Sequence, residues 1–204
     1  MKFTYIHGDI TRGIYGAIVN AANPTLLGGG GVDGAIHRAV GPKLREYCKT
    51  LPEISPGVRC PVGGVVVTSA GGLSCLYVFH TVGPIFPAGR DPCFHGEQVS
   101  TNPKVELAKC IQGCLVSAER LGVKTIAFPA ISCGVYGCPI SVFAKVFWDV
   151  LRERDWNLQE VTLVLFEEVD YRMFEVTWGM LTTQKLEVED PDPADFPGDE
   201  FDLF

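Results

Sequence analysis

Two side-chain amides and one carboxylate fall within a single fifteen-residue stretch, Asn20-Ala21-Ala22-Asn23-Pro24-Thr25-Leu26-Leu27-Gly28-Gly29-Gly30-Gly31-Val32-Asp33-Gly34. Four consecutive glycines separate the second amide from the acid. Glycine loses more backbone freedom on folding than any other residue, so a run of four is costly to order. Keeping it makes sense where the backbone must approach a ligand closely, with Asn23 and Asp33 as the polar groups aimed at that ligand. A second stretch, Pro129-Ala130-Ile131-Ser132-Cys133-Gly134-Val135-Tyr136-Gly137, has the composition of a loop whose N–H groups form an anion-binding nest before a helix. A phosphate-bearing ligand is its natural occupant. A third, Gly8-Asp9-Ile10-Thr11, adds another carboxylate beside a glycine. The spacings G-x-G-x-x-G and G-x-x-x-x-G-K-[ST] are both absent, which argues against nicotinamide-dinucleotide and P-loop chemistry.

The elements around these stretches alternate. Phe3 to His7 and Ala17 to Asn20 read as strands, Val32 to Val40 and Pro42 to Lys49 as helices. Gly64 to Ser69 and Leu76 to Val82 are β-branched or aromatic runs that read as strands. A helix is expected from Pro103 to Leu121, stopped by Gly122, then a short strand from Lys124 to Phe128. Pro139 to Arg154 reads as a helix, Val161 to Phe166 as a strand buried on both faces, and Tyr171 to Leu181 as a last helix. All three chemical stretches follow strands, where α/β sheets bind ligands. The expected fold is a three-layer α/β domain around a largely buried, mixed sheet. Pro84 to Asn102 reads as a long loop.

Composition narrows the field. The net charge of −7 lies entirely in residues 185–204, which hold eight acids and one base; the remaining 184 residues are neutral. The body has no basic excess for nucleic acid, and its apolar runs are too short to span a bilayer. Residues 1–184 are expected to form the domain and 185–204 an acidic tail. The tail's Phe196, Phe201, Leu203 and Phe204 suit either a solubilising segment or a docking peptide for a protein partner. The N-terminus lacks a secretory pattern, so a cytoplasmic or nuclear setting is expected, with the eight cysteines as free thiols. None lie in a C-x-x-C pair, and Cys93-Phe94-His95 lacks the rest of a ligand set, so neither metal nor cofactor is expected.

Taken in order, Gly8–Thr11, Asn20–Pro24, Gly28–Gly34, Ala35-Ile36-His37, His80-Thr81-Val82-Gly83-Pro84 and Ser132–Gly137 resemble a macro domain. The resemblance is strongest to the branch that hydrolyses O-acetyl-ADP-ribose and mono-ADP-ribosylated acidic side chains. It runs from about residue 3 to about residue 182 and leaves the tail outside. It implies a three-layer α/β/α macro-domain fold with a central mixed sheet, and ADP-ribose, O-acetyl-ADP-ribose or mono-ADP-ribosylated proteins as ligands. It implies hydrolysis of an ester at the distal ribose; the rival reading is a module that binds ADP-ribose without cleaving it.

The resemblance also assigns roles. Asp33 matches the catalytic aspartate, which orients or deprotonates a water; otherwise Asp33 is an N-cap for a helix beginning near Gly34. Asn23 matches the asparagine on the distal ribose hydroxyls, the alternative being a turn residue before Pro24. Asp9 matches the acceptor of the adenine amino group, or it caps a turn at Thr11–Arg12. Phe166 would lie beside the adenine, or be a plain core residue. Ser132, Cys133, Gly134 and Val135 would hold the diphosphate through their amides, with Tyr136 packed on the distal ribose or simply covering the loop. Ile10, Asn20, Gly28, Gly29, Gly30, Gly31 and Val32 complete the expected ligand-binding set. His37 and His80 are taken as structural, each open to recruitment into a proton relay. Cys133 stands where relatives often carry threonine, and its place near a helix N-terminus suggests a lowered thiol pKa.

Overall fold

The computed structural model describes residues 1–86 and 100–183. Six strands form one sheet: β1 (Lys2–His7), β2 (Ala17–Ala22), β3 (Val65–Ser69), β4 (Tyr77–Val82), β5 (Thr125–Phe128) and β6 (Glu160–Leu165). Their spatial order is β1-β6-β5-β2-β4-β3. All pairings are parallel except β3 with β4, so the sheet is mixed.

Side-chain alternation along each strand divides the core into two layers. Ile18, Ala22, Val78, Val82 and Val164 point to the face covered by α1 (Gly31–Val40) and α2 (Pro42–Thr50), against Leu26, Ile36, Leu44 and Cys48. Ala17, Val19, Phe79, Phe128, Val161 and Leu163 point the other way. They meet α3 (Pro103–Arg120), α4 (Ile140–Arg152) and α5 (Glu168–Thr183) through Leu107, Ile111, Phe143, Phe147 and Phe174. The result is a three-layer α/β/α sandwich. The strand β6 is buried along nearly its whole length, as its unbroken apolar character requires.

Boundaries move by a few residues. The largest shift is at α5, which begins at Glu168 rather than Tyr171 because Glu168 and Asp170 favour the positive end of a helix. Ile10–Arg12 forms one 3₁₀ turn. Among the described residues no helix is long and apolar enough to cross a membrane. Most of the Pro84–Asn102 loop, including Cys93, and the whole 185–204 tail lie outside the described residues. The seven described cysteines are free.

Candidate functional site

A cavity of about 620 Å³ opens at the carboxyl ends of the parallel strands. Its walls come from the residues that follow β1, β2, β5 and β6, and from the start of α1. Of the expected set, Asp9, Ile10, Asn23, Gly29, Gly30, Gly31, Val32, Asp33, Ser132, Cys133, Gly134, Val135, Tyr136 and Phe166 all line it. Asn20 and Gly28 do not.

One wall is the start of α1. Its N-cap is Gly30, which offers no side-chain cap, so the amides of Gly31, Val32 and Asp33 precede the first helical bond, from Gly34 N to Gly30 O. These donors and the helix dipole favour an anion. Asp33 sits inside the first turn and caps nothing, so the N-cap alternative is wrong. Two glycines of this wall are closely approached. A Cβ at Gly29 would lie 3.0 Å from Asp33 Oδ2 and 3.1 Å from Asn23 Nδ2, and one at Gly34 would lie 2.5 Å from the Gly29 carbonyl oxygen. Gly28, at φ +92°, contributes shape from behind the wall: a Cβ there would face the His37 ring.

Asn23 is held by its own turn. Its Oδ1 accepts from Thr25 N and Thr25 Oγ1, and its Nδ2 donates to the Gly28 carbonyl. The turn-residue reading is therefore observed, and the amide still faces the cavity. Each Nδ2 carries two protons, and the Gly28 bond uses one.

Behind Asp33 lies a buried polar chain. Asn20 Nδ2 donates to Asp33 Oδ1 at 2.7 Å and also lies 3.0 Å from His80 Nδ1; His80 Nε2 is 2.9 Å from Thr68 Oγ1. Asn20 and His80 are fully buried, so Asn20 does not line the cavity as expected; its amide instead holds Asp33, which does line it. The same bonds join His80, through Asn20, to the acid. His37 Nε2 is 3.4 Å from Asp33 Oδ1 without hydrogen-bond alignment. Burial raises the Asp33 pKa above the usual carboxylate value, against the opposing effects of the Asn20 bond and His37. Among the described residues Asp33 Oδ2 is buried with no hydrogen-bond partner. A carboxylate so placed is a base with one free oxygen.

The opposite wall is the loop after β5. Ser132 adopts φ +66°, a left-handed conformation strained for a residue with a side chain. Cys138 N to Ser132 O and Gly137 N to Gly134 O close the loop, and Phe86 N to Tyr136 O ties it to the segment leaving β4. The amides of Gly134 and Val135 donate no bond within the described residues. Gly83 fits against this loop with no room for a Cβ, which would fall 2.2 Å from Ser132 Oγ. The Cys133 thiol is not lowered in pKa: a hydrogen bond with Cys138, and then burial, hold it well above its usual value.

The far end is more apolar. Ile10, Val164, Leu165 and Phe166 line it, and Phe166 is 71% exposed, so it is no core residue. Asp9 does cap the turn, accepting from Thr11 N and Thr11 Oγ1. Burial acts to raise its pKa, but those bonds and Arg12 outweigh it and hold Asp9 below the usual range.

Sequence reasoning missed Arg38, Glu167 and Asp170, which also line the cavity. Arg38 is the one cation among the lining residues and has no ion pair among those described. Helical side chains lean toward the N-terminus, so a residue four past Gly34 reaches back over it; that rule was the available signal. Among the described residues no group of three or more His, Cys, Asp or Glu side chains is arranged to hold a metal ion.

The sequence profile of the Macro domain matches residues 19–147. The chain belongs to the macro domain family. It is 43% identical over 180 residues to a macro domain-containing protein of Xanthomonas axonopodis pv. citri, covering 86% of this chain and 94% of that one. It is equally 43% identical over 188 residues to a protein of Enterobacter cloacae subsp. cloacae named O-acetyl-ADP-ribose deacetylase, covering 90% and 96%. Among solved structures, the Oceanobacillus iheyensis macrodomain with ADP aligns with a TM-score of 0.76 at 37% identity, covering 88% of this chain and 91% of that one. In this macro domain the two amide-rich walls, the carboxylate and the apolar end thus belong to one continuous cavity.

Proposed function

We infer that this macro domain binds ADP-ribose and hydrolyses an ester at the distal ribose, as in O-acetyl-ADP-ribose or an ADP-ribosylated acidic side chain. The observation that carries this reading is Asp33 Oδ2, a buried and unpartnered carboxylate oxygen beside Asn23 and Gly29. The name of the Enterobacter relative and the ADP held by the Oceanobacillus macrodomain support it.

In this reading the diphosphate lies between the α1 amides and the Ser132–Gly137 loop, and the adenine among Ile10, Val164 and Phe166 near Asp9. The distal ribose then rests over Gly29–Gly31, with Asn23 on its hydroxyls. Asp33 Oδ2 accepts a proton from a water as its oxygen adds to the ester carbon. The ester C–O bond breaks, the carboxylic acid leaves, and the proton returns from Asp33 to the ribose oxygen. Burial raises the Asp33 pKa, which makes it a stronger base than an exposed carboxylate. Binding through the nucleotide supplies the energy that holds the ester in place.

Parallel turnover of O-acetyl-ADP-ribose and of an ADP-ribosyl-glutamate peptide tests the reading. Asp33→Ala is expected to lower kcat on both by about 10²- to 10⁴-fold, the usual contribution of a positioned base. Asn23→Ala is expected to lower kcat/KM on both. Calorimetric binding of ADP-ribose with no product from either substrate would instead make the protein a reader.

A further inference from the structure

We propose that Thr68 and His80, together with Asn20, are positioning residues that fix which oxygen of Asp33 faces the substrate. The inference rests on the hydrolase reading above. The four side chains form one chain running from β3 through β4 and β2 to α1: Thr68, His80 and Asn20 lie on the strands and Asp33 on the helix. All are buried, from fully for Asn20 and His80 to 2% and 3% exposed for Thr68 and Asp33. The strand pairings put His80 level with Asn20 on one side and Val66 on the other, which brings Thr68 two residues along β3 within reach of the ring.

The proton positions in this chain follow by elimination. Ionised, Asp33 only accepts, so the Asn20 atom at 2.7 Å from its Oδ1 is the NH₂ group. That same nitrogen is 3.0 Å from His80 Nδ1, and its second proton points there. His80 Nδ1 must therefore be bare, which leaves the ring proton on Nε2, donated to Thr68 Oγ1 at 2.9 Å. Burial pushes the His80 pKa down to about 3, so the ring stays neutral over the working range and keeps this tautomer. Thr68 Oγ1 accepts the Nε2 proton and steadies this tautomer, bare Nδ1 accepts from the Asn20 NH₂, and the amide claims Asp33 Oδ1. Oδ2 is left as the only oxygen free to meet the water. Without the Thr68 acceptor the ring can shift its proton to Nδ1, where it opposes the Asn20 NH₂ and turns the amide. An amide carbonyl would then face the Asp33 carboxylate.

The test compares wild type, Thr68→Val, Thr68→Ser and Asp33→Ala. Thr68→Val keeps the shape and removes the acceptor, and Thr68→Ser restores it. Thr68→Val is expected to lower kcat at least tenfold, with KM and the ADP-ribose Kd unchanged and with thermal unfolding close to wild type. Nitrogen-15 NMR should show the His80 proton on Nε2 in wild type and Thr68→Ser, and moved or exchanging in Thr68→Val. Thr68→Ser is expected to recover kcat. Full kcat in Thr68→Val, or an Nδ1–H tautomer in wild type, overturns the inference while leaving the hydrolase reading intact. Undiminished turnover in Asp33→Ala overturns both, whatever Thr68 does.

Discussion

At the scale of single residues the site trades stability for reactivity. Burial opposes the charge on Asp33 and raises its pKa above the ordinary 3.8. The sign of the linkage follows: the folded state holds this proton more tightly than the unfolded chain does. Wild-type stability therefore carries a penalty above the folded pKa, which fades as pH falls toward the unfolded value. Asp33→Asn keeps an acceptor for Asn20 and removes the charge. It should melt above wild type at pH 7, and the advantage should vanish near pH 4 and below. In a chain of this size each kcal/mol regained appears as about 2–4 °C in Tm. Thermal scans across pH 3.5–7.5 check it; a variant no more stable than wild type at pH 7 would mean that the carboxylate is not strained by burial.

At the scale of elements, the first turn of α1 and the loop before it act as one preset wall. Gly29 has an ordinary φ, so alanine strains no backbone there; its Cβ intrudes instead between Asp33 Oδ2 and Asn23 Nδ2. Gly29→Ala should therefore lower kcat about 10²-fold, the cost of roughly 1 Å of misplacement, while circular dichroism and Tm stay near wild type. Gly34→Ala differs, because its Cβ meets the backbone oxygen of Gly29, and it should lose stability as well. Much of this wall was legible in the sequence. The glycine run announced close approach, and the apolar periodicity gave nearly every element, since both are local signals. The role of Asn20 was not legible. Within β2 it looks like one more polar residue before a loop, and only the pairing of β2 with β4 brings it to His80. For Phe166 the sequence left both an adenine-side and a core reading open, because at the end of an apolar strand a phenylalanine also suits the core; its exposure decides against the core. Arg38 was passed over because its reach depends on side-chain direction, which residue spacing alone does not display.

At the scale of the whole molecule, charge and chemistry are separated along the chain. The body is neutral and the acids that set the net charge lie in residues 185–204. A variant ending at Gln184 should keep wild-type kcat and KM on both ester substrates, measured side by side with the full chain; a large loss would assign the tail to the site. The sheet order adds a constraint of another kind. Among the described residues the edge strand β1 pairs only with β6, residue for residue from Lys2 with Glu160 to His7 with Leu165. Among the described strands, β1 thus has no neighbour until β6, the last of them in chain order, exists. Asp9 and Ile10 hang from β1, and Phe166 follows β6, so the apolar end of the cavity is assembled from both ends of the domain. During translation, at about 5–20 residues per second, the amide-rich middle can form while β1 waits unpaired, some 150 residues behind the ribosome. A chain stalled before β6 therefore lacks Val164, Leu165 and Phe166, and with them most of the cavity's apolar end.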